Sequence, residues 1–187
     1  MNITAVQKQP KSEMTGHGVT RMHICDEGLS LIKKFEGCPT EGGLVVPYKC
    51  QAGVLTIGFG HTRTVKPHDK WTMDHASYIL QEEIEDEYEP YVNDLVTVPL
   101  QQNQFSALVA WVFNLGPTNF QNSTMIKVLN QSDYEGVPYQ MKRWNKVNGQ
   151  VSDGLIRRRE AEALLFEGKS WEPVSYTHLT LPTTPYV

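Results

Sequence analysis

Residues 31–62 read LIKKFEGCPTEGGLVVPYKCQAGVLTIGFGHT, and the change of rhythm inside this stretch decides the fold. Up to Phe35 the spacing is helical: Leu29, Ile32 and Phe35 recur on one face of a segment that opens at Asp26, a residue type suited to an N-cap. Gly37 and Pro39 stop that helix. From residue 40 to 67 the chain turns to Gly, Val, Tyr and Thr, with glycines at 42, 43, 53, 58 and 60 as punctuation. VVPYKC, VLTIGFGHT and the segment reaching Pro67 therefore predict short antiparallel strands.

Toward the C-terminus the period returns to that of a helix. Thr72 suits an N-cap, and a long helix is expected over about residues 73–95, with Ile79, Ile84, Tyr88, Tyr91 and Leu95 as its apolar positions and Pro90 as a kink. The acidic run from Glu82 to Glu89 reads as a solvated face. After Pro99 every patterned segment reads as helix: QNQFSALVAWVFNLG ending at Gly116-Pro117, NSTMIKVLNQ with Ser123 as a cap, DYEGVPYQMKRW, and GLIRRREAEALLFEG closing at Gly168. Trp111 and Phe113 are expected in the core. The class is α+β: a small antiparallel sheet in an N-terminal lobe, a long connecting helix, and a helical C-terminal lobe.

Both ends break the pattern. Residues 1–21 are polar and aperiodic and read as a flexible arm, with Met22 as a candidate true start. Residues 174–187, VSYTHLTLPTTPYV, resemble a translated sequencing-library adapter and read as a non-native tail. That leaves residues 22–173 as one domain.

Composition excludes several classes. In 187 residues, 17 Lys and Arg face 21 Asp and Glu, a net charge of −4, which offers no basic face for nucleic acid. No apolar run reaches the ~18–20 residues of a membrane span, and the N-terminus has no signal-type apolar region, so neither anchor nor leader is expected. Three cysteines, Cys25, Cys38 and Cys50, are too few for a disulfide framework and fit a reducing compartment.

The stretch quoted above resembles the phage-type lysozymes, the endolysins of glycoside hydrolase family 24. The match is carried by a first helix ending in Phe35-Glu36-Gly37 and by a hairpin leading from Tyr48-Lys49-Cys50 to Thr56-Ile57-Gly58-Phe59-Gly60-His61-Thr62. NQFSALVAWVFNLG and GLIRRREAEALLF extend it over residues 22–170. The resemblance implies a lysozyme-like fold with the substrate cleft between its lobes. It also implies a muramidase that hydrolyses the β-1,4 bond between N-acetylmuramic acid and N-acetylglucosamine in bacterial peptidoglycan, without cofactor or metal. Such an enzyme is expected to be a monomer that builds up in the host cytoplasm and reaches the wall once a separate pore-forming protein opens the membrane.

The implied catalytic set is a Glu closing the first helix, an Asp or Cys on the hairpin and a Thr after it, spaced Glu, eight residues, Asp or Cys, five residues, Thr. Cys50 and Thr56 match the second half, with residues 51–55 between them. The first half departs, because the thirteen residues 37–49 separate Glu36 from Cys50. Either PTEGG is an insertion and Glu36 is the acid, or the acid is Glu41, which leaves eight residues before Cys50. Glu36 is favoured, since a helix end can hold a proton donor rigidly whereas Glu41 lies in a glycine-rich turn.

Glycoside hydrolysis needs a carboxylic acid to protonate the leaving oxygen as an oxocarbenium-like centre forms. Partial burial between lobes is the usual means of keeping such an acid protonated near neutrality. A second group must orient water or offset positive charge; a thiol does so by charge only once ionised, ordinarily near pH ~8.5. Cys50 is therefore expected to position water weakly and to share that task with the Thr56 hydroxyl; the resemblance implies inversion, as in the family's Asp-bearing members, and a covalent thio-glycosyl intermediate is the alternative.

Outside the motif each residue has a plainer reading: a solvated helix end for Glu36, a small core residue for Cys50, a β-branched strand residue for Thr56. His61 is expected to hold the hairpin by hydrogen bonds. Within Arg157-Arg158-Arg159, the family spacing GL-x-x-RR-x-x-E selects Arg158 as ion-pair partner of the catalytic Glu. Cys38 is either a buried small residue or a disulfide partner for Cys50. Two other functions stay open, a lytic transglycosylase forming 1,6-anhydro ends and a peptidoglycan-binding module without catalysis.

Overall fold

The computed structural model describes residues 20–50 and 52–172; residues 1–19, nearly all of the expected arm, and the expected tail 174–187 lie outside the described residues. Helix α1 spans Asp26–Glu36, with Cys25 rather than Asp26 at the cap position. Asp26 and Glu27 fall in its first turn and Lys33 and Lys34 in its last, each sign where the helix dipole favours it. Gly37, at φ 68°, turns the chain out of the helix and returns its N–H to the Lys33 carbonyl.

The predicted sheet is a set of separate two-stranded ladders. Strands β1 (Thr40–Glu41) and β2 (Leu44–Val45) are joined by Gly42 and Gly43, both at positive φ as a two-residue turn of this type demands. Strands β3 (Tyr48–Lys49) and β4 (Leu55–Thr56) pair Tyr48 with Thr56 and Lys49 with Leu55. The strand pattern expected to run on to Pro67 is replaced by isolated bridges, Ile57 to His61 and Val45 to Trp71.

The long connecting helix is broken in two. Helix α2 covers Met73–Glu87, capped by the Thr72 hydroxyl accepting from the His75 N–H, and α3 covers Glu89–Leu95. Pro90 has no N–H to give back to the preceding turn and its ring crowds that turn, so the ladder fails there. The buried stripe of α2 is Ala76, Leu80 and Ile84, not a stripe through Ile79.

The C-terminal part holds α4 (Gln102–Leu115), α5 (Pro117–Asn122), α6 (Thr124–Asn130), α7 (Val137–Lys142) and α8 (Asp153–Phe166). Pro117 opens a helix, a position where its missing N–H costs nothing. Ser123 caps α6 as expected, accepting from the Ile126 N–H. Not everything here is helix, however. Strands β5 (Lys146–Val147) and β6 (Gln150–Val151) form a hairpin turned by Asn148-Gly149, a strong hairpin signal that the helical reading passed over.

Helix α4 is the axis of the core, buried without interruption from Phe105 to Val112. Helix α1 packs on α4 and α8, so the first helix in sequence belongs to the helical lobe, while β2 lies against α2. Trp111 is fully buried, and Phe113 is half-buried with its ring 4.9 Å from that of Tyr88. Where α1 crosses α4, a Cβ added at Gly28 would lie 2.8 Å from both the Ser106 Cβ and the Ile24 Cγ1. Gly28→Ala is therefore expected to lower stability by about 1–3 kcal/mol, outweighing the gain in helix propensity of about 1 kcal/mol. A urea midpoint equal to or above that of the parent would show that α1 and α4 part freely at this crossing.

The start of the described chain is tied to α3. Arg21, read as part of the arm, pairs with Asp94 at 3.2 Å, and Asn93 bonds both the N–H and the carbonyl of Met22. The Glu89 carboxylate accepts from the Ile24 N–H at 2.7 Å and lies 2.8 Å from the His23 Nδ1. The acidic run is thus only partly a solvated face: Glu89 is buried, Glu83 meets His61, and Glu87 pairs with Arg63. Burial pushes the Glu89 carboxyl up, against the pull of the Ile24 N–H and of His23. The folded chain therefore keeps this proton to higher pH than the unfolded chain, and stability falls as pH rises above the ordinary carboxylate range. Glu89→Gln is expected to flatten the decline in melting temperature as pH rises above the ordinary carboxylate range and to match or exceed the parent at neutral pH. A markedly lower melting temperature at neutral pH would mean that the charge pair with His23 outweighs desolvation.

Candidate active site

Glu36 is the last residue of α1, held at the point where Gly37 turns the chain away. Its Oε1 accepts from Arg158 Nη1 of α8 at 2.6 Å, and the Arg158 guanidinium also lies over the Phe35 ring, 5.8 Å from its centre. The pair is unequal in exposure: the Glu36 side chain is 24% exposed, enough to meet a ligand, whereas Arg158 is 5% exposed. Of the neighbouring arginines Arg157 is exposed and Arg159 fully buried, so the middle residue of the run reaches Glu36. Glu41 sits exposed on β1, and PTEGG builds the β1–β2 hairpin. The additional residues between Glu36 and Cys50 thus form a structure of their own rather than moving the end of α1.

Cys50 follows β3 and opens a tight loop, its N–H donating to the Val54 carbonyl at 3.0 Å and its carbonyl accepting from the Gly53 N–H at 2.8 Å. The same loop turns backbone N–H groups toward the sulfur. Backbone hydrogen bonds from Val54 and then Ala52 hold the Cys50 thiol below its ordinary range, against the opposing effect of desolvation. Thr56 is buried, and its hydroxyl donates to the Val54 carbonyl at 3.0 Å, leaving its lone pairs as acceptors.

Tyr48 is the site residue that sequence reasoning missed. Burial raises its phenol first, and the charges of Glu36, Cys38 and Cys50 raise it further, so one phenol responds to both the helix end and the hairpin. The signal was available in strand alternation, which puts residues 48 and 50 on one side of an extended segment. Glu36 also acts on Tyr88, whose phenol is raised first by burial.

His61 locks the hairpin to α2. Its Nδ1 lies 2.7 Å from Glu83 Oε1, its Nε2 lies 2.6 Å from the Arg63 carbonyl, and its ring rests against Trp71 at 5.3 Å. All three cysteines are free thiols; Cys38 packs on the core and burial raises its thiol, as the small-residue reading has it, with no Cys38–Cys50 bond. Two local groups result: a part-buried carboxyl with a guanidinium fixed to it, and a thiol held below its ordinary range by the residue 50–56 loop; the charges of Glu36 and Cys50 both act on Tyr48.

The sequence matches the phage lysozyme family over residues 33–162. It is 41% identical over 150 residues to an endolysin of Acyrthosiphon pisum secondary endosymbiont phage 1, covering 78% of this chain and 99% of that protein. It is 34% identical to an endolysin of Bacillus phage B103, of which it spans about half (54%, with 78% of this chain covered). Among solved structures it superposes on the endolysin from Escherichia coli O157:H7 phage FAHEc1 with a TM-score of 0.69 at 35% identity, covering 82% of this chain and 96% of the other.

Proposed function

Since the chain belongs to the phage lysozyme family, and so is a lysozyme-type glycoside hydrolase of α+β lysozyme-like fold that acts on peptidoglycan, we propose that it cleaves the β-1,4 bond between N-acetylmuramic acid and N-acetylglucosamine, with Glu36 as general acid and Cys50 and Thr56 handling the attacking water. The observation that carries this reading is Glu36 itself: a part-buried carboxyl at a rigid helix end, bonded across the structure to Arg158; its charge acts on Tyr48, as does that of Cys50.

Glu36 gives its proton to the glycosidic oxygen as the bond to the anomeric carbon breaks. The carboxylate left behind is met by Arg158 Nη1, an interaction stronger in the transition state than before proton transfer, which is the condition for catalysis. Water adds to the anomeric carbon from the other face, accepted by the Thr56 oxygen and losing its proton to the Cys50 thiolate. The depressed Cys50 thiol gives this residue more of the character of an Asp than a free thiol has. A single displacement of this kind inverts configuration. On the same reading the enzyme works as a monomer and meets the wall from the host cytoplasm after a separate pore-forming protein has opened the membrane. No helix among the described residues is long and apolar enough to cross one.

Digestion of purified peptidoglycan, with mass spectrometry of the released sugar ends, tests the reading. Reducing N-acetylmuramic acid ends support it. Anhydro ends would replace it with a transglycosylase, and no release would leave only a binding module.

A further inference from the structure

Behind Arg158 lies a buried group that this mechanism has not used. Glu162, one turn farther along α8, is fully buried, and its Oε1 accepts from Arg158 Nε at 3.2 Å and from Arg159 Nη2 at 2.8 Å. Arg159 is itself fully buried, bonded to Asn114 of α4 at 2.7 Å and set over the Trp111 ring. One carboxylate therefore answers two guanidinium groups, and one of those two is the partner of Glu36. The second Glu162 oxygen and Arg158 Nη2 find no hydrogen-bond partner among the described residues.

Arg158 is fixed 2.6 Å from the group that must give up a proton, and a cation there is worth most once that proton has left. With Glu162 ionised, the two arginines and Glu162 sum to one positive charge, and Glu36 faces a guanidinium already shared with an anion. Without that anion, the guanidinium that Glu36 meets would be shared with no second carboxylate, and the buried Arg159 behind it would lose its ion-pair partner. The Glu36 charge also acts on Tyr48 and Tyr88, and Arg63, which acts on Tyr88 as well, is a further cation on that side, itself paired with Glu87. From α7, Lys142 points instead to Glu160 on an exposed face. Glu162 thus does two things for the same atom. It fixes the Arg158 side chain through Nε so that Nη1 meets Glu36, and it tempers the charge that Nη1 presents.

We propose that Glu162 is a positioning residue for the reaction, acting through Arg158 to place and moderate the cation that stabilises the Glu36 carboxylate formed on proton transfer. The proposal rests on Glu36 being the acid. Glu162→Gln keeps the shape and an acceptor oxygen but removes the charge. It is expected to lower kcat about tenfold near neutral pH with KM within about twofold, and to move the alkaline limb of the pH–rate profile toward acid. Glu162→Asp, which keeps the charge, is expected to restore the alkaline limb. In an Arg158→Met background, Glu162→Gln is expected to change kcat by less than about twofold, because the group it acts through is gone. A folded Glu162→Gln enzyme with an unmoved alkaline limb, or with an equal loss in the Arg158→Met background, overturns the proposal. Should Glu162→Gln not fold, Glu162→Asp carries the test. Its shorter reach is expected to lower kcat only where Arg158 is present, and a loss undiminished without Arg158 overturns the proposal equally. Failure of the underlying reading looks different: the parent enzyme would release no reducing muramic ends, or Glu36→Gln would remain active.

Discussion

Glu36→Gln lowers peptidoglycan turnover by about 10²-fold or more, while Glu41→Gln stays within about twofold of the parent; this is the expected result of comparing the two candidate acids. The substitution removes the transferable proton at nearly constant volume. The amide oxygen it introduces can still accept from Arg158 Nη1, so the end of α1 keeps its tie to α8 and the loss reports chemistry rather than folding. Glu41 lies exposed on the β1–β2 hairpin, where nothing in the geometry gives it a proton-donating role. Rates on purified cell walls, with melting temperatures as the folding control, make the comparison. An active Glu36→Gln beside an inactive Glu41→Gln would move the acid to the hairpin.

Trp111→Ala is expected to cost about 3–5 kcal/mol, a large share of the roughly 5–15 kcal/mol that a domain of this size has. Trp111 is fully buried in the middle of α4, edge-on to Trp144 at 5.3 Å, 6.1 Å from the Phe120 ring and beneath the Arg159 guanidinium. Its removal opens a cavity bordered by Phe120 of α5, by Trp144 and by α8, and leaves Arg159 without the ring on which it rests. Trp111→Phe should cost far less, about 1–2 kcal/mol, because the indole N–H has no hydrogen-bond partner among the described residues and its loss breaks none. Denaturant titration of the two variants decides; equal losses would mean that the nitrogen rather than the ring volume sets the stability here.

How far the site was readable depends on the range of the contacts that make it. The end of α1 at Glu36-Gly37, the Thr72 and Ser123 caps and the five residues between Cys50 and Thr56 are local matters of chain geometry, and each is legible residue by residue. Arg158 was reached through a family spacing, not through physics, since 122 positions separate it from Glu36. Tyr48 was passed over although strand alternation pointed to it, and the Asn148-Gly149 turn was hidden by a helical context on both sides. Pro90 was read as a kink, and there the helical ladder divides into α2 and α3 with only Tyr88 between them, its backbone still in the helical region.

The sequence by itself determined most of the helical segments and several of their caps and stops, and that a thiol and a hydroxyl follow the carboxyl, those two at a lysozyme-like spacing from each other. Local backbone preferences and side-chain caps act over a few residues, and a few residues suffice to reveal them. Only the tertiary structure decided that α1 joins the helical lobe, that Glu89 leaves the acidic face to bind residues 23 and 24, and that Glu162 stands behind Arg158. Periodicity tells which side of a helix is apolar but not what that side will meet. A buried charge is tolerable only opposite a partner that the fold brings from far along the chain.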